Sequence, residues 1–201
     1  MNLKRNMIEP VLQSHPVRIP MGKIVIDGEL TIPVGSKGLI VFAQGNGRSA
    51  HEHSRAVATV FNKHGLATLL TALPASTHIA YWVQQNPETV GLHLGFFAAG
   101  PDVTAALITA AQQPELIKAV VSRGGRPDLI MEFLPLVKAP VLLIAAGRDP
   151  ECLGFNQHAL RKLNDTSTLN VIPRASKLFE EPGAMEEAEQ LAALWFSQHL
   201  G

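Results

Sequence analysis

Six short apolar runs, most of them separated by helical patterns, narrow what this chain can fold into. The run LIVFA at 39–43 is continuous and not alternating, so as a strand it must be covered on both faces. Similar runs stand at 67–70, 92–97, 119–121 and 141–145, with a weaker one at 169–172. Helical patterns occupy 54–64, 105–112, 157–163 and 184–199. The last follows Pro182 and Gly183, carries Glu186, Glu187 and Glu189 early and His199 late, and so suits the helix dipole. Such alternation predicts a mostly parallel sheet with helices on both faces. Ahead of it, apolar-alternating residues at 17–19, 23–26 and 29–32 flank Asp27-Gly28, a strong short-range turn signal. The expectation is an N-terminal antiparallel hairpin turning at that pair.

Length and composition remove several classes of function. A chain of 201 residues, 46% hydrophobic and 17% charged, buries a real core and is not disordered. It is expected to form an arm over residues 1–16 and one domain over residues 17–201. Its 17 basic and 17 acidic residues cancel, which argues against nucleic acid or an anionic membrane as the main partner. The single cysteine, Cys152, excludes an internal disulfide framework and a cysteine-rich metal site. No apolar run reaches the roughly 18 residues of a membrane span. Lys4 and Arg5 are followed by no apolar stretch of the signal-peptide kind. A cytoplasmic, cofactor-free globular protein is expected.

In open α/β sheets ligands bind where strands end and loops lead into helices. The first such loop holds Gln44, Gly45, Asn46, Gly47 and Arg48, and the one after the run at 92–97 holds Ala98, Ala99, Gly100, Pro101 and Asp102. Ser122, Arg123, Gly124 and Gly125 follow the next strand, then Gly147, Arg148 and Asp149, and finally Arg174 to Lys177.

The hairpin, the strand-Gly-x-Gly loop, the segments VVSRGGRPDL (120–129), APVLLIAAGRD (139–149) and LFEEPGA (178–184) together resemble the dienelactone hydrolase-like branch of the α/β-hydrolase superfamily. Within it they are most similar to small hydrolases found fused to phosphoribosyltransferases. The similarity spans Val17 to Leu200. It implies an α/β-hydrolase fold and hydrolysis of esters, lactones or related acyl compounds by a nucleophile, an acid and a histidine in that chain order. Matched to the family pattern without a gap, the nucleophile position falls on Gly100, the acid on Asp149 and the histidine on Lys177. The His-Gly pair frequent after the first parallel strand is Gln44-Gly45 here. The stretch between Leu70 and Trp82 is shorter than in relatives, which implies a reduced or absent cap and leaves Tyr81 and Trp82 open for association.

Acyl transfer needs an attacking atom, a base and donors for the oxyanion. Gly100 supplies no attacking atom. Lys177 beside Asp149 is expected to stay protonated and form an ion pair. The residue after the nucleophile ordinarily donates its N–H to the oxyanion, and here it is Pro101, which has none. Catalytic degeneracy follows, with the protein kept as a small-molecule binder or interaction module. The competing reading is an ester, thioester or lactone hydrolase that uses a displaced nucleophile, Asp102 or a Ser122–Lys177 pair. Cys152 is expected to be a small buried apolar group. His51, Glu52 and His53 invite a metal reading, but no partner of recognisable spacing follows, and a loop leading into the helix at Ser54 is favoured. The N–H groups of residues 44–47, with Arg48 and Arg123, suit a small anion. The expected ligand is therefore a small molecule or an anion, bound around Gln44, Gly45, Asn46, Gly47, Ala99, Pro101, Ser122 and Arg123. A homo-oligomer is the expected protein partner.

Overall fold

The computed structural model describes residues 14–43, 48–71 and 76–201, and of residues 43 and 48–51 the backbone alone. Among the described residues eight strands form one sheet: β1 (Ser14–Met21), β2 (Ile24–Thr31), β3 (Gly38–Ala43), β4 (Ala67–Thr71), β5 (His93–Ala99), β6 (Ile117–Arg123), β7 (Val141–Ala146) and β8 (Thr168–Ile172). Five helices accompany them: α1 (Arg48–Lys63), α2 (Thr77–Gln85), α3 (Val103–Gln112), α4 (Pro150–Leu160) and α5 (Ala184–Leu200). The spatial order is β1-β2-β4-β3-β5-β6-β7-β8. The strands from β4 to β8 run parallel, and β1 and β2 add an antiparallel edge.

The hairpin turns elsewhere than expected. Met21 pairs with Ile24, so Gly22 and Lys23 make the turn, with Gly22 at φ +66 as the first of two turn residues, where glycine is free of Cβ strain. Asp27 and Gly28 lie inside β2, opposite Arg18 and Val17. A Cβ on Gly28 would stand 3.1 Å from Val17 and 3.2 Å from Leu69. Its glycine therefore marks a close approach where β2 joins both neighbours, which sequence texture cannot tell from a turn. Ser14, His15 and Pro16 belong to β1, so the sheet begins inside the stretch expected to be an arm.

Two apolar layers sandwich the sheet. On one face Leu94, Phe96, Ala98, Val120 and Leu143 pack against Ile79, Val103, Leu107 and Ala159 of α2, α3 and α4. On the other, Phe42, Phe97, Val121 and Ile144 pack under Phe61 of α1 and Phe196 of α5. Phe61 sits 5.5 Å from the ring of Phe97 and 5.6 Å from that of Phe196, both edge-on, the geometry aromatic pairs favour.

Helix α1 starts earlier than its pattern implied, so His51, Glu52 and His53 are helical and not a preceding loop. Helix α4 also starts early, because Asp149 caps it and Pro150 sits in its first turn. Helix α2, which the helical patterns did not include, follows the shortened stretch after Leu70; Ser76 caps it and Ile79, Ala80 and Val83 are buried. Tyr81 is 51% exposed, whereas Trp82 packs partly against the core, so the open surface there is smaller than expected. No helix among the described residues is long and apolar enough to cross a membrane.

Candidate functional site

Strand β3 is flanked by β4 on one side and β5 on the other, so the chain changes direction of travel there. The crevice at the carboxyl ends of such strands is where open α/β sheets hold ligands. Ala43 pairs with Ala98, and Ala99 pairs with Arg123. Register alone thus brings Ala99, the corner after it and Arg123 to one edge. Gln44, Gly45, Asn46 and Gly47 lie outside the described residues.

The corner itself is built from Gly100, Pro101 and Asp102, a single 3-10 turn between β5 and α3. Ala99 is extended at φ −128 and ψ 145, then Gly100 takes φ +56. A side chain there is strained by about 1–3 kcal/mol, and glycine is not. A Cβ built on Gly100 meets nothing within 4 Å, so the corner has room for a side chain it does not carry. Pro101 has no N–H to offer. Its carbonyl accepts a hydrogen bond from the Thr104 hydroxyl at 3.1 Å, which ties the turn to α3.

Asp149 and Lys177 do not form the expected ion pair among the described residues. Asp149 Oδ1 instead accepts the Cys152 N–H at 3.0 Å, capping α4. Lys177 is exposed. Its main chain nonetheless runs beside Gly124, with the carbonyl 3.6 Å from a Cβ built there, so the last loop does reach the β6 end. Two residues on, Phe179 is buried at φ +57, the only non-glycine with positive φ among the described residues. Such a bulky residue persists in that conformation only when its surroundings over-determine it. Cys152 is buried and its thiol donates to the Gly125 carbonyl at 3.5 Å. Burial, then the charge of Asp149, pushes that thiol above its ordinary value, with Arg126 and Lys177 opposing weakly. It is a packed thiol and not a thiolate.

Ser122 and Arg123 are adjacent in β6 and so face opposite sides of the sheet. Ser122 follows Val120 toward the α3 layer, is 0% exposed, and its hydroxyl has no hydrogen-bond partner among the described residues. It makes no Ser-Lys pair with the exposed Lys177. Arg123 faces α1 and α5. Its Nη1 donates to His53 Nε2 at 3.1 Å and to Met185 Sδ at 2.9 Å, and the guanidinium lies 5.5 Å from the Phe97 ring centroid. Burial pushes it down to about 10, against the opposing charge of Glu189, and it remains a cation at neutral pH. His53 is held below its ordinary value by burial and by Arg123.

A cavity of about 540 Å³ opens beyond the acid loop, lined by Asp128, Met131, Glu151, Phe155 and His158 among others. Arg126 lies 3.6 Å over the Phe155 ring and makes a two-pronged pair with Asp128 at 2.8 Å on each arm. None of the corner residues lines it. His53, Met185 and Glu189 gather around Arg123 from distant parts of the chain, and no sequence spacing announced them. No group of three or more histidine, cysteine, aspartate or glutamate residues is placed to hold a metal ion among the described residues.

No family model matches the chain. A Mycobacterium tuberculosis protein that carries the name phosphoribosyl transferase is 38% identical over 212 residues, covering 96% of this chain and 48% of that protein. The chain thus spans about half the length of the curated relatives it matches. The esterase domain of a Rhodothermus marinus protein superposes with a TM-score of 0.77 over 94% of this chain and 100% of its own, at 12% identity, and so shares the fold. A crystallised dienelactone hydrolase from Anabaena variabilis is 39% identical, with a TM-score of 0.90 over 94% of this chain and 99% of its own. With that identity over nearly all of both chains, this strand order and this strand-to-helix corner, the chain belongs to the dienelactone hydrolase-like branch of the α/β-hydrolase superfamily.

Proposed function

We propose that this protein has lost the hydrolytic reaction of its family and holds a small molecule, anionic in character, in the crevice beside Gly100 and Arg123. The observation that carries the reading is the corner: Gly100 offers no attacking atom at φ +56, and Pro101 offers no amide hydrogen behind it. Loss of one oxyanion donor typically costs about 10²–10³ in rate, on top of the missing nucleophile. Asp149 caps a helix and Lys177 stands in solvent, so neither is engaged in relaying a proton. The corner keeps a left-handed glycine with open space over it, which supports the reading of a frame whose reacting group is missing. What stands beside the corner is a cation, Arg123, in register with Ala99 on the next strand.

The competing reading is a hydrolase with a displaced nucleophile, and it draws on the hydrolase and esterase names of the structural neighbours. Ser122 counts against it, because a fully buried hydroxyl cannot meet a substrate. Purified protein offered p-nitrophenyl esters and a fluorophosphonate probe separates the two. Background turnover and no labelled serine fit the binder, and enzyme-dependent turnover with a labelled serine establishes the hydrolase.

A further inference from the structure

The most unusual electrostatic feature of the molecule is Arg123. Its guanidinium sits between the first two turns of α1, which supply His53, and those of α5, which supply Met185 and Glu189. Buried cations are ordinarily paired with a carboxylate. Among the described residues Arg123 forms no ion pair. Glu189, 8% exposed, acts on Arg123 through its charge but makes no hydrogen bond or ion pair with it. A guanidinium has five N–H donors in a planar fork. Here one nitrogen serves two neutral acceptors, an imidazole and a thioether, and the rest of the fork has no hydrogen-bond partner among the described residues, with the Phe97 ring 5.5 Å from the guanidinium.

Arginine cannot accept a hydrogen bond, so the 3.1 Å contact requires His53 Nε2 to be bare. A proton on that nitrogen would set two cations at contact distance, which an anion shared between them would relieve. The amino-terminal ends of α1 and α5 add positive potential in the same place.

We propose that Arg123 and His53 form a proton-linked seat for an oxyanion, a carboxylate or a phosphate-type group, beside the Gly100 corner. The seat rests on the reading of that crevice as a binding cleft and names the class of ligand it takes. Register places Arg123 next to Ala99, so the anion lies alongside the corner and the rest of the ligand extends over it. Binding draws a proton onto His53, and affinity rises as pH falls. The groups facing His53 are few. Arg123 comes from β6 and the uncharged Met185 from α5; Glu189 acts on Arg123, and Glu186 acts on Glu189. Strand β4, which also packs on α1, carries no ionisable side chain.

Sulfate is the probe for the pH series, because its charge does not change across the range, and benzoate tests the carboxylate source. Calorimetry in two buffers of different ionisation heat counts the proton. The expected result is one sulfate per chain, bound about tenfold more tightly near pH 5.5 than near pH 7.5, with uptake of about one proton. His53→Gln should bind with neither pH dependence nor proton uptake, and Arg123→Met should not bind. If Arg123→Met does not fold, His53→Gln alone decides. No binding of sulfate or benzoate by the wild type, or unchanged proton uptake in His53→Gln, overturns the seat. Ester turnover by the wild type would overturn the functional reading without touching this measurement, so the two failures are distinguishable.

Discussion

The carboxylate of Asp149 accepts the backbone N–H of Cys152 at 3.0 Å, and Lys177 stands apart from it in solvent. A helix cap of this kind is worth about 0.5–2 kcal/mol. Asp149→Ala should therefore lower the unfolding free energy by about that amount, seen as a lower urea midpoint with an unchanged slope. Its effect falls on α4, and the two-state character of the transition should survive.

Gly100→Ser tests the corner. The new side chain has room, since nothing lies within 4 Å of its Cβ, but its backbone is held at φ +56. The expected cost is about 1–3 kcal/mol by chemical denaturation. Esterase activity should stay near background, because Pro101 still withholds an amide hydrogen and Lys177 still stands apart from Asp149. A robust gain from this one substitution would mean that neither loss matters.

Ser122→Ala separates a buried bystander from a displaced nucleophile. The hydroxyl is fully buried with no hydrogen-bond partner among the described residues, so its removal lifts a desolvation penalty. Stability should rise, by about 1 kcal/mol, with fluorophosphonate labelling absent both before and after. A loss of ester turnover in this variant would place Ser122 in a reacting site.

Much of this architecture was legible in the chain. The six apolar runs all became parallel strands; burial on both faces leaves a plain compositional trace in the inner ones, and the weaker run is the part-exposed edge strand β8. The hairpin was legible and its turn was not, since Gly28 serves a crowded strand crossing while Gly22 serves the turn. Helix α2 went unread although Ser76, Ile79, Ala80 and Val83 carried its cap and apolar stripe. At the site, the glycine and proline of the corner could be read one residue at a time. Arg123 could be named as a candidate but its surroundings could not: its partners His53 and Met185 are 70 and 62 residues away, and only the packing of α1 and α5 brings them together.

The Arg126–Asp128 pair gives stability a pH signature. The hydrogen-bonded guanidinium of Arg126 holds Asp128 below its ordinary value of 3.8. A carboxyl depressed in the folded state contributes stability that is fully present above its unfolded value and is lost as pH falls through the folded one. Wild type should therefore exceed Asp128→Asn in urea midpoint near pH 6, and the advantage should shrink once pH drops below about 4. A difference that stays constant from about pH 6 to about pH 2 would show that the charge is not what Asp128 contributes.

The central claim is that the strand-to-helix corner carries no acyl-transfer machinery. Its most direct test is the rate of p-nitrophenyl acetate hydrolysis by the purified wild-type protein, set against the uncatalysed rate and against Asp149→Ala. The account predicts a wild-type rate equal to background. Saturable turnover that Asp149→Ala abolishes would contradict it.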